Sequence, residues 1–151
     1  MNTREIVVKQ INYLRDRDFD GALECDKEFY DYCFQEYRNV LSLKERLNKH
    51  KNNSDKRYQA LIGKANLVIA IRKTELEWLG AEEEMIKLFQ RLHQLTLEGR
   101  EEKNREKGLI EGTIAEVSDR MRTLKSKLKI YDQFRRELLN AQSETTDGGN
   151  N

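Results

Sequence analysis

The chain has 151 residues, 37% hydrophobic and 36% charged, with no proline and a formal charge of +1. That balance describes a single domain with a thin core under a large wet surface, and it excludes the global field that draws a protein onto nucleic acid or anionic lipid. No run reaches the roughly 18 apolar residues that span a bilayer, and MNTREIVVKQINYLRDRD lacks the apolar core of a signal peptide, so neither a membrane span nor an export signal is expected.

Glu, Lys, Arg, Leu and Gln without proline favour helix over most of the length. Thr3 can cap a first helix, about 3–17, that places Ile6, Val7, Ile11 and Leu14 on one face and stops at the polar run RDRDFDG. A second, about 20–50, restarts at Asp20 or a neighbour and repeats Phe29, Cys33, Val40, Leu43 and Leu47 at helical spacing. KHKNNSD, 49–55, is the clearest loop and ends in a Ser-Asp pair suited to capping the next helix.

The third segment, about 55–99, keeps Leu67, Ile71, Thr74, Trp78, Ala81, Met85, Leu88, Leu92 and Leu95 in one heptad register. That register passes unbroken through Trp78-Leu79-Gly80. Trp78 is therefore expected in the core, and Gly80, off the seam, costs about 1 kcal/mol without ending the helix. Gly99 and Gly108 bracket the charged run EGREEKNREKG, which places a reversal between 99 and 108. The last helix, about 107–140, carries Ile110, Ile114, Val117, Met121, Leu124, Leu128 and Tyr131 in three-four spacing, after which Phe134 and Leu138 take over. From 141 the tail AQSETTDGGNN is small and polar and is expected to be disordered.

The expected fold is all-α: residues 1–140 form one elongated antiparallel helical bundle, a coiled-coil hairpin (55–140) with the 20–50 helix along part of it. The rods differ in length, so one stretch of seam stays uncovered within a single chain and is left for a second copy or a partner. Trp78-Leu79-Gly80 looks like the Trp-x-Gly of small secreted hairpin proteins, but there it marks the turn between two helices, and the unbroken register rules the match out. In architecture alone, the long charged hairpin is similar in kind to the stalk and chaperone subunits of type III secretion and flagellar export.

No chemistry-bearing motif stands out. His50 and His93 lack the Glu-x-x-His spacing of bundle metal sites, and no Walker loop, nucleophile elbow or dinucleotide fingerprint is present. No catalytic, cofactor-binding or metal residue is expected, and no enzyme activity. Cys25 and Cys33 lie about 12 Å apart along one helix, too far to bridge, which favours a reducing, cytoplasmic setting.

Two features nominate surfaces. Phe29, Tyr30, Tyr32, Phe34 and Tyr37 put five of the twelve aromatic residues within nine positions, more than one helix face can bury. They are the expected interface for another protein or for a homodimer. Residues 16–36 carry net charge −6, whereas 119–137 carry +4 through Arg120, Arg122, Lys125, Lys127, Lys129, Arg135 and Arg136. The expected function is that of a non-catalytic coiled-coil interaction subunit, whether adaptor, scaffold or assembly chaperone, in which these charges align helices or chains. The alternative is a nucleic-acid-associated protein that lays the basic last helix along a phosphate backbone.

Overall fold

A computed structural model of the chain describes residues 3–99 and 104–149, with side chains for 4–99 and 104–141. Four helices follow in order: α1 Thr3–Arg15, α2 Phe19–Lys49, α3 Lys56–Glu98 and α4 Asn104–Gly149. No strand occurs among the described residues, so the chain is an all-α bundle.

Each boundary has a local cause. α1 stops two residues earlier than expected because Arg17 turns left-handed (φ 59°); its N–H reaches the Leu14 carbonyl and the Asp18 N–H reaches Tyr13. Asp18 then caps α2 by accepting from the Gly21 N–H at 3.0 Å. Tyr13 lies flat over Gly21, where an added Cβ would meet the ring at 2.6 Å, so the glycine sets how closely α1 and α2 approach. The polar loop after α2 is pinned by its own bonds: His50 stacks on Tyr58 at 4.3 Å, Asn53 donates to the Asn48 carbonyl, and Asp55 caps the Arg57 N–H.

α3 runs through Trp78-Leu79-Gly80 without a turn, and Gly80 points to open space. Gly99, left-handed at φ 63°, ends it. α4 begins at Asn104 rather than 107 and runs straight through Gly108 and Gly112, since Asn-Arg-Glu-Lys favours helix and both glycines have room around them. It also continues to Gly149, past residue 141 where disorder was expected: nothing between Ala141 and Asp147 forbids helix, and the first paired glycines are the last two residues of α4.

Successive helices are antiparallel. Gln10 meets Asp26, Cys33 meets Glu75, Gln90 meets Asp20, and Arg91 pairs with Glu106 at 2.9 Å. α3 sits in the middle, packed by α2 on one side and α4 on the other. The α4 seam is the expected one, with Ile110, Val117 and Leu124 buried at seven-residue intervals. α3 buries Thr74, Ala81 and Leu95 of its expected seam and adds a second row, Ala65, Leu79 and Ile86, because it has neighbours on two sides.

The core is confined to one end. Among the described residues none is buried beyond Cys33 in α2, before Ala65 in α3 or beyond Leu124 in α4. At the other end Leu43, Leu61, Phe134, Leu138 and Leu139 remain exposed. The chain presents 11003 Å² of surface, against about 8000 Å² for a compact monomer of its mass.

Candidate functional site

The aromatic cluster of α2 divides. Phe29 and Tyr32 turn inward and help to line a cavity of about 300 Å³, whose other apolar walls are Val7 of α1, Trp78 and Leu79 of α3, and Leu128 of α4. Trp78 is thus half-buried at a cavity rather than packed solid. Tyr30 and Phe34 face outward, both 42% exposed and stacked at 6.2 Å, with the Arg38 guanidinium over Phe34. Tyr37 is half-buried one turn further on.

Polar groups gather at two edges of this cavity. At one, the Cys33 thiol donates to Glu75 at 3.3 Å while Arg72 holds the same carboxylate at 3.0 and 3.1 Å. Burial, then the Glu75 charge, pushes the Cys33 thiol up to about 12, and burial with Glu28 raises Cys25. Both thiols are free and buried, so neither is a nucleophile at neutral pH.

At the other edge Gln10, which lines the cavity with Glu82, donates its amide to Oδ1 of Asp26, itself 3% exposed. Asp26 Oδ2 is buried without a hydrogen-bond partner. Burial raises both Asp26 and Glu82 well above the ordinary carboxylate range, and the Asp26 charge raises Glu82 further. The sequence held a signal of this cluster: Gln10, Asp26 and Glu82 each interrupt an apolar arc, as in Ala22-Asp26-Phe29-Cys33 and Ile6-Gln10-Tyr13.

The basic residues of α4 are spread around an exposed helix. Arg120 pairs with Glu84 of α3, Arg122 with Asp119 and Arg136 with Asp132. Lys125, Lys127, Lys129 and Arg135 are exposed, and among the described residues no ion pair joins them to the acidic part of α2. No group of three or more His, Cys, Asp or Glu side chains among the described residues is placed to hold a metal ion, and none of the described helices is long and apolar enough to cross a membrane. No protein-family model, no curated protein and no solved structure matches the chain.

Proposed function

We propose that the chain is a non-catalytic interaction subunit that associates with a second copy of itself through the uncovered end of the bundle. The observation that carries this is the exposure of Leu43, Leu61, Phe134, Leu138 and Leu139 on three long helices whose own packing ends near Cys33, Ala65 and Leu124. Excess surface of about 3000 Å² over a compact monomer is more than the roughly 800 Å² per partner that a standard interface needs. Charge supports the same partner. The −6 of residues 16–36 and the +4 of 119–137 are not consumed by each other within one chain, so an antiparallel pair can set one copy's acids against the other's bases. The free buried thiols fit a reducing compartment.

Light scattering on the pure protein tests this. The expected result is the mass of two chains, returned to one chain by Phe134→Asp with Leu138→Asp while helical circular dichroism is retained. A single-chain mass at micromolar concentration, with no protein partner retained from nuclease-treated lysate, overturns the proposal. Binding that instead requires nucleic acid, falls steeply between about 50 and 200 mM salt, and is lost on removing Arg122, Lys125 and Lys129 would transfer the function to basic α4.

A further inference from the structure

All four helices contribute to the cavity beside Trp78: Val7 comes from α1, Phe29 and Tyr32 from α2, Trp78 and Leu79 from α3, and Leu128 from α4. Clefts between the helices of a bundle are where such folds hold small molecules. The cavity is open to solvent on one side, with Val7 42% exposed and Phe29, Tyr32, Trp78 and Leu128 half-buried. A small molecule can therefore reach its aromatic walls without the helices parting.

Size and lining narrow the occupant. An apolar cavity of about 150 Å³ takes a benzene, and this one, at about 300 Å³, has room for two fused rings. Phe29, Tyr32 and Trp78 make much of the wall aromatic, and rings pack well on rings by offset stacking and edge-to-face contact. Several polar groups of the lining are already engaged: Gln10 donates to Asp26, the Cys33 thiol donates to Glu75, and Arg72 reaches both oxygens of Glu75 through Nη1. Arg72 Nε is different, being buried with no hydrogen-bond partner. A buried donor left unmatched is costly, so an acceptor carried by the ligand is favoured at that wall. Charge disfavours an anion, since Glu75 already neutralises Arg72 and Glu82 adds a second acid to the lining.

We propose that the cavity beside Trp78 is a binding site for an uncharged two-ring aromatic molecule bearing one hydrogen-bond acceptor, which Arg72 Nε recognises.

Calorimetry on the full chain tests this with 2-acetylnaphthalene, which has two fused rings and a single carbonyl. One-to-one binding is expected, with a dissociation constant on the order of 10 to 100 µM for a ligand of this size. Naphthalene, which lacks the carbonyl, is expected to bind about tenfold more weakly through loss of one hydrogen bond to a charged donor. The anion 2-naphthoate is expected to bind more weakly than the ketone. Leu128→Trp fills the cavity from the α4 side and is expected to abolish binding while helical circular dichroism is retained.

No heat with the ketone, unchanged affinity in the folded variant, or naphthalene binding as tightly as the ketone overturns the proposal. Tighter binding of 2-naphthoate overturns an uncharged ligand. Should Leu128→Trp not fold, NMR of the native chain decides: nuclear Overhauser contacts from the ketone ring protons to the Val7 and Leu128 methyl groups support the site, and their absence overturns it. Contacts from a second copy of the chain in place of the ketone would overturn it too, in favour of self-association. The site lies within one chain and does not rest on that association, so light scattering with and without the ketone keeps the two outcomes apart.

Discussion

The two ends of the bundle are built from the same helices and differ in what covers them. At the closed end α1, α2, α3 and α4 meet, and Ile86, Leu95 and Val117 are almost wholly buried. At the open end α1 is absent, and Leu43, Leu61 and Leu138 stay more than two-fifths exposed although their spacing along each helix is just as regular. Apolar periodicity therefore says which face of a helix wants a neighbour; whether it has one depends on how many helices reach that level.

The largest effect that sharpens this contrast is in the core. Leu95→Ala at the closed end is expected to cost about 2–5 kcal/mol in urea denaturation. Leu138→Ala, measured on dilute single chains, is expected to cost under about 1 kcal/mol. Equal costs would erase the distinction between the ends. Next come the glycines. Gly21→Ala forces the Tyr13 ring aside and is expected to destabilise by about 1–3 kcal/mol, whereas Gly80→Ala, with open space at its Cβ, is expected to stabilise by about 0.5–1 kcal/mol. A gain at both positions would mean that α1 does not pack on Gly21. The smallest effect is at the α1–α2 turn. Arg17→Gly relieves a left-handed residue and is expected to stabilise by about 1 kcal/mol or less in the same urea denaturation.

Much of the fold was legible. The α4 seam follows strict three-four spacing because α4 packs on one neighbour, α3, and the straight run through Gly80 could be read from a register that never shifted. The second buried row of α3 was hidden, since Ala65, Leu79 and Ile86 count as off-seam until a helix is known to have neighbours on both sides. The aromatic cluster was visible as a surplus, but its division into inward Phe29 and Tyr32 and outward Tyr30 and Phe34 depends on which side of α2 borders the cavity that Val7, Trp78 and Leu128 also line. The acid pair was harder still. Asp26 and Glu82 are 56 positions apart in the sequence, and only the antiparallel α2–α3 alignment brings them together. The helical run from 141 to 149 ran against a composition that reads as solvent-loving, because polarity argues against burial and not against helix.

The two silent thiols give the molecule a clock. Cys25 and Cys33 are each 4% exposed, and both are held protonated by burial, so an alkylating reagent can reach them only during moments when the helices part. Cys33 borders the cavity, whereas Cys25 does not line it. Their relative alkylation rates therefore time two openings separately, and the native chain carries that recorder without any label being added.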